Sequence, residues 1–339
     1  MPIDAATVSR DLLVHFRRQR PIRGGSLIVT MFGDSIMPRG GAVALASLIR
    51  LAGPFGLKER LVRTATARLA QDGWLDARRL GKLSEYRLSK TGRARFAEAT
   101  TRIYSAPNTP WIGRWTLIVL PAKAALTAAA RHCLRQELEW QGFGELSNGV
   151  FAHPEATPDH VTQLILATRS DTARLAGGTP LPPGALIFDA SLADHLRPEA
   201  LVNLGWDLAD LGKRYQRFVR RFERTLNTLS PRFIEPKTAF ILRTLLIHEY
   251  RRLHLRDPLL PERLLPAHWP GTRAAHLCRE IYVRVFAPSE LYLSQIGTRV
   301  RSALPPPDPN IMQRFGGLEP QSSGHCSSVA TTLDKKALA

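Results

Sequence analysis

The sequence predicts a multidomain α+β protein: an N-terminal winged helix-turn-helix, a ferredoxin-like middle domain and an all-helical C-terminal domain. Three observations carry this reading. Segment 58–71, KERLVRTATARLAQ, is a basic amphipathic helix followed directly by two short strand runs with a basic turn. Residues 115–190 alternate between strand and helix patterns. From Arg197 onward only helical periodicity remains.

Residues 1–24 hold a short amphipathic piece, Val8 to Phe16, and then ArgArgGlnArg with a Pro/Gly stop, which reads as a basic N-terminal arm. The winged helix is expected over 25–105. Its first helix starts at Ser26 and runs to Asp34, and Pro38-Arg39-Gly40-Gly41 breaks it. Val43 to Leu51 is the second helix, stopped by Gly53-Pro54. In the third, at 100° per residue, Val62, Ala65 and Leu69 share one face, with Leu61 and Thr66 at its edges. Arg60, Arg63, Thr64, Ala67 and Gln71 take the other face, and Lys58 precedes them. Two guanidiniums, a hydroxyl, a methyl and an amide suit phosphate and base-edge contacts in a major groove. The strands fall at 74–80 and 85–88, and Arg78, Arg79 and Lys82 make the wing basic. A closing helix spans Thr91 to Tyr104, and Ser105 to Pro110 is a linker.

The middle domain, 111–192, has a buried-strand run at 115–120 and a helix from Ala124 to Trp140. A strand with a central Asn-Gly bulge or turn follows at 146–154, then a helix from Pro158 to Ala167 and a strand at 185–190. One strand of the ferredoxin-like order is unassigned. The C-terminal domain, 196–300, opens with an apolar seam at Leu204, Leu208, Leu211, Tyr215, Phe218, Phe222 and Leu226. The seam reads as a core stripe, with a dimer surface as the alternative. Two more helices span Lys237 to Leu255 and Thr272 to Phe286, the latter with a continuation to Ile296. Residues 301–339, with ProProPro, GlyGly and SerSerGly and few large apolar side chains, read as a disordered tail.

Charge agrees with a polyanion partner. The chain of 339 residues carries a net +18, and residues 1–104, with 19 Lys+Arg against 8 Asp+Glu, supply +11 of it. Arginine-rich usage inherited from GC-rich coding is the plain alternative. The three cysteines, Cys133, Cys278 and Cys326, are odd in number and far apart, which points to a reducing compartment without disulfides or zinc. No apolar run reaches a membrane span, so a cytoplasmic location is expected.

PheGlyAspSerIleMetProArgGlyGly (32–41), LeuLysGluArgLeuValArgThrAla (57–65), GlyTrpLeu (73–75) and TyrArgLeuSer (86–89) resemble the PaaX family of bacterial transcriptional repressors. So do HisGluTyrArgArgLeuHisLeuArgAspProLeuLeuPro (248–261) and LeuLeuProAlaHisTrpProGly (264–271). The resemblance runs in order over about 25–295 and leaves out the arm and the tail. It implies a sequence-specific repressor of a phenylacetate degradation operon that leaves its operator when phenylacetyl-coenzyme A or a related aryl-coenzyme A binds. It also relates the middle domain to small ferredoxin-like endoribonucleases, which hold a divalent cation on an Asp near the end of the first strand. Here that strand ends ValLeuProAla (119–122), so a metal-dependent nuclease or scaffold remains only the alternative.

A coenzyme A thioester needs guanidiniums for its phosphates and walls for its aryl group. Arg243, Arg251, Arg252 and Arg273, with Phe240, Tyr250, Trp269, His248 and His254, form the candidate ligand set. Ion pairing of these arginines to Glu249, Asp257, Glu262 and Glu280 is the competing reading. His248-Glu249 is not a zinc-protease motif, because position 252 is Arg. No metal site is expected. No Gly-rich phosphate loop, nucleophile elbow or paired-carboxylate motif appears, so no enzyme is expected. A homodimer is, because one winged helix reads one half-site.

Overall fold

The computed structural model describes residues 4–19, 24–105, 110–121, 127–157, 161, 184–229 and 233–318. Helix α1 (Ala5–Arg18) begins where the Asp4 carboxylate accepts the Thr7 N–H at 2.8 Å. Its apolar face carries Val8, Leu12 and Phe16 into the core, and Phe16 meets His248 edge to face. The stretch expected as a basic arm is therefore largely a core helix. Its apolar period decides this, because the arginines occupy only the outer face. Residues 20–23 lie outside the described residues.

Helix α2 (Gly24–Met31) does not continue regularly to Asp34; it widens into one π turn over Phe32–Ile36 and a 3-10 turn over Met37–Arg39. Gly40 and Gly41 then take φ of 84° and 72°, the left-handed region that suits glycine, and reverse the chain. The reversal leads into a short strand that the sequence reading missed, β1 (Ala42–Ala44), before α3 (Leu45–Ala52) and α4 (Glu59–Gln71). Strands β2 (Leu75–Leu80) and β3 (Leu83–Leu88) form a hairpin closed by Gly81-Lys82. The antiparallel sheet has the order β1-β3-β2. Ser89 caps α5 (Lys90–Tyr104) by accepting the Gly92 N–H at 2.9 Å.

The middle sheet contains β4 (Arg114–Val119), β5 (Gly144–Ser147), β6 (Val150–His153) and β7 (Leu186–Ser191), with α6 (Ala128–Trp140) following β4. Its order is β5-β6-β4-β7, all pairs antiparallel. The run at 146–154 contributes to two strands, which turn at Asn148-Gly149 and supply the unassigned one. β4 alternates as a doubly covered strand must: Trp115 and Leu117 join one apolar cluster, and Ile118, with Leu120 just beyond the strand, the other. The expected helix at Pro158–Ala167 lies, apart from Val161, outside the described residues.

The C-terminal part is α7 (Pro198–Gly205), α8 (Leu208–Thr228), α9 (Pro236–His254) and α10 (Pro270–Ile296). The apolar seam is broken at Trp206-Asp207, so Leu204 lies on α7 and is 69% exposed. Leu208 through Phe222 are spent on burial within the chain. Helix α9 is buried nearly all round.

One apolar cluster runs from Val8, Phe32, Val62 and Tyr104 to Tyr215, Leu246, Tyr282 and Leu318. The helix–hairpin unit and the C-terminal helices thus share a core. Residues 301–318, expected to be disordered, are folded over it. Asp308 donates its N–H to the Pro38 carbonyl at 2.7 Å, and Leu304, Ile311, Arg314 and Leu318 are buried. Few apolar residues suffice there because each is placed on a surface already built. Residues from 319 on lie outside the described residues. We expect Ile311→Ala to lower the unfolding free energy by about 2–4 kcal/mol, as for other buried aliphatic truncations. Met312→Ala, at a position 43% exposed, should change it by less than about 0.5 kcal/mol in the same urea titration.

Candidate nucleic-acid interface and its buried support

Helix α4 divides as its sequence does. Val62 and Thr66 are buried, and Leu61, Ala65 and Leu69 are half-buried. Lys58, Arg60, Arg63, Thr64, Ala67 and Gln71 are exposed. Arg63 pairs with Glu59 at 2.6 Å, but both side chains are more than half exposed, so the pair is weak and a phosphate can displace it. Arg78, Arg79 and Lys82 are exposed around the hairpin turn, where Arg78 stands opposite Glu85. The structure therefore presents all nine of these residues to solvent, on a helix and an adjoining hairpin.

Beneath this surface lies a charge cluster that the sequence reading did not find. Asp34, in the π turn, is 2% exposed. Its Oδ1 accepts from Tyr104 (2.7 Å), Tyr282 (2.9 Å) and Arg314 (2.8 Å), and its Oδ2 from Arg243 Nε (2.7 Å). Arg243, fully buried on α9, also donates to Ser289 at 3.0 Å and Glu290 at 2.5 Å. Glu290 in turn pairs with Arg39 of the glycine-turn segment. The Arg314 guanidinium stacks 4.0 Å from the Tyr104 ring centre. Burial alone would raise the Asp34 carboxyl; the guanidiniums of Arg243 and Arg314 and the two tyrosine hydroxyls outweigh it and hold the carboxyl below its ordinary range.

The candidate ligand set does not converge. Arg243 is committed to Asp34 and Glu290, which removes it from any ligand role. Phe240 is sealed between Phe55 and Tyr292. His248 is fully buried beside Thr30 and Phe16. Tyr250 stacks on His254, and His254 sits within 3.3 Å of the Tyr215 hydroxyl. Arg252 pairs with Glu249, and Arg273 is exposed and pairs with Glu223. Trp269 packs edge on against the Tyr215 ring. Arg251 lines a cavity between α2, α5, α6 and α9, described below, and Trp269 lines a separate, more open cleft beside α7 and α8. The reason is the all-round burial of α9: its polar side chains turn to different neighbours, Arg243 to Asp34 and Glu290, and Arg251 to Thr30 and Ser26. Among the described residues no group of three His, Cys, Asp or Glu side chains gathers to hold a metal, and no helix is long and apolar enough to cross a membrane.

Three stretches of the chain match models of one family. Residues 23–92 match PaaX-like protein, 108–177 the PaaX protein central Cas2-like domain, and 206–295 the PaaX-like protein C-terminal domain. The transcriptional repressor PaaX of Escherichia coli K12 is 36% identical over 314 residues, which cover 91% of this chain and 95% of that one. The chain belongs to the PaaX family. A solved structure, the uncharacterized protein Rv0674 from Mycobacterium tuberculosis, is 25% identical over 71% of this chain and 89% of its own, with a TM-score of 0.43.

The PaaX matches at 23–92 and 206–295 hold Asp34, Arg39, Arg243, Tyr282 and Glu290. Tyr104 and Arg314 lie outside both. Asp34→Asn removes the charge that compensates two buried guanidiniums, and we expect a loss of about 3–5 kcal/mol. A carboxyl depressed in the folded state contributes stability above its unfolded value and loses it as pH falls toward the folded one. The wild type should therefore lose stability below about pH 4, and Asp34→Asn should lack that part of the decline. Urea unfolding of both proteins across pH 2–7 checks the sign.

Proposed function

We propose that this chain is a sequence-specific DNA-binding repressor of an operon for degradation of phenylacetate or a related aromatic acid. Membership of the PaaX family, with a relative named as a transcriptional repressor, supports the class. The single observation that carries DNA contact is the solvent-facing set Arg60, Arg63, Thr64, Ala67 and Gln71 beside a basic hairpin. In this reading residues 25–105 work as a winged helix-turn-helix. The α4 face enters the major groove with Lys58 at its start, and Arg78, Arg79 and Lys82 meet phosphate or the minor groove. The middle sheet order is the one a ferredoxin-like unit requires, and that unit serves as a spacer or dimerisation module. A homodimer matches a two-fold operator and doubles the contacts.

Release follows if a ligand prefers a conformation in which the two α4 helices no longer match the half-site spacing. We take phenylacetyl-coenzyme A or a related aryl-coenzyme A as that ligand. Coupling of this kind is typically about 1–3 kcal/mol, or roughly 5- to 150-fold in affinity.

Fluorescence anisotropy on the promoter beside its own gene, over a salt series, tests the reading. Arg63→Ala should cost about 1–3 kcal/mol and relax specificity at one base pair. Arg79→Ala should weaken all sequences alike and reduce the salt slope by about 1. Unchanged operator affinity in Arg63→Ala across the series would sink the assignment. In the same assay phenylacetyl-coenzyme A should lower operator affinity, and free phenylacetate should do much less.

A further inference from the structure

A cavity of about 530 Å³ opens where four elements meet: α2, α5, α6 and α9. Its volume is that of a pocket for a ligand of drug size. The walls are mostly apolar, with Trp74, Phe96, Tyr104 and Trp140 among them; the charged groups besides Arg251 are Asp34, already committed, the half-buried Arg95 and Glu137, and the exposed Glu98. One largely buried cation faces this space. Arg251 donates its Nε to Thr30 Oγ1 at 2.8 Å and its Nη2 to the Ser26 carbonyl and hydroxyl at 2.7 and 2.8 Å. Every one of these partners is neutral, and no carboxylate among the described residues forms an ion pair with it. The other arginines of α9 differ: Arg243 and Arg252 both have carboxylate partners. Burial pulls the Arg251 guanidinium down to about 10, as expected of a desolvated cation without a counter-charge. A buried charge is costly until something anionic or strongly polar pairs with it.

Aromatic walls around one uncompensated guanidinium select a ring that bears an oxygen acceptor. We propose that this cavity binds the aromatic acyl end of a small ligand, with the ring among Trp74, Phe96 and Trp140 and the carbonyl or carboxylate oxygen at Arg251. The place also gives such a ligand leverage. Trp74 follows the turn that ends α4, α5 packs against the hairpin, and α6 belongs to the middle domain. Arg102 already clamps these parts, donating to the carbonyls of Trp140 and Asp257 at 2.7 and 2.6 Å. An occupant would wedge the cavity open between α5 and α6 and so tilt the α4 surface relative to the middle domain. The control of DNA binding rests on the repressor reading above; the binding site itself does not.

Calorimetry on the full chain tests it, with phenylacetyl-coenzyme A, phenylacetate and coenzyme A as probes. Arg251→Gln removes the charge and keeps a hydrogen-bond donor for Ser26 and Thr30. Ala99→Phe fills the cavity from α5, where Ala99 lines it. We expect at least one ring-bearing probe to bind wild type, coenzyme A alone not to displace it, and both variants to bind tenfold or more weakly. Thermal unfolding and operator affinity without ligand should stay as in wild type. No binding of either ring-bearing probe, or equal binding by wild type and both variants, overturns the proposal. If Arg251→Gln fails to unfold cooperatively, Ala99→Phe decides alone. Ligand binding that follows the variants in a protein that ignores operator DNA would uphold the cavity and refute the repressor. Operator binding with ligand affinity indifferent to the variants would do the reverse.

Discussion

A carboxylate almost wholly buried organises the molecule. Asp34 accepts from residues of α5, α9, α10 and the C-terminal segment, so four separate stretches of chain must arrive together before its charge is satisfied. Replacing such a cluster with apolar groups can cost a fold nothing; leaving it half built costs several kcal/mol. The cluster therefore acts as a specificity device. It permits one arrangement of the helix–hairpin unit on the C-terminal helices and penalises displaced ones. Gly40 and Gly41 turn the chain into β1 directly after Arg39, whose guanidinium pairs with Glu290.

This arrangement bears on function through rigidity. A recognition helix on a tethered domain would lose orientational freedom on every encounter with DNA. Here α4 rests on a core that continues into α8, α9 and α10, and the hairpin is braced from behind, where the buried Glu85 carboxylate accepts the Val300 N–H at 3.2 Å. In the repressor reading proposed above, a change in the C-terminal part or at the α5–α6 junction would reach the basic surface as a tilt of a stiff body. Coupling between sites needs such discrete packing and not a flexible linker.

Much of the surface was legible in the sequence, and much of the interior was not. The helical wheel separated Val62 from Arg60, Arg63 and Gln71 because one face packs and the other is wet. It left Thr66 at the edge, yet that side chain is buried and its hydroxyl returns to the Val62 carbonyl at 2.9 Å, because a wheel gives direction and not depth. Strand β1 was invisible because three small or β-branched residues running straight into a helix have no alternation to read. Composition hid the role of 301–318, since one arginine and a few aliphatics on a prepared surface are enough. The charge cluster did leave a trace. Asp34 sits inside the mostly apolar segment LeuIleValThrMetPheGlyAspSerIleMet, 27–37, and Arg243 inside AlaPheIleLeuArgThrLeuLeuIle, 239–247. A lone acid and a lone base in two segments that must both be buried need each other. The aryl-ligand residues are scattered for a related reason: arginines crowded in sequence on a buried helix point in different directions.

Native-state hydrogen exchange tests the central claim, that the helix–hairpin unit and the C-terminal helices are one cooperative body held by Asp34. Amides of α2, α4 and β3 should open at the same free energy as those of α9 and α10, and Asp34→Asn should lower both sets together. Opening of α4 and the hairpin at a distinctly lower free energy, with α9 and α10 unaffected by Asp34→Asn, would contradict it.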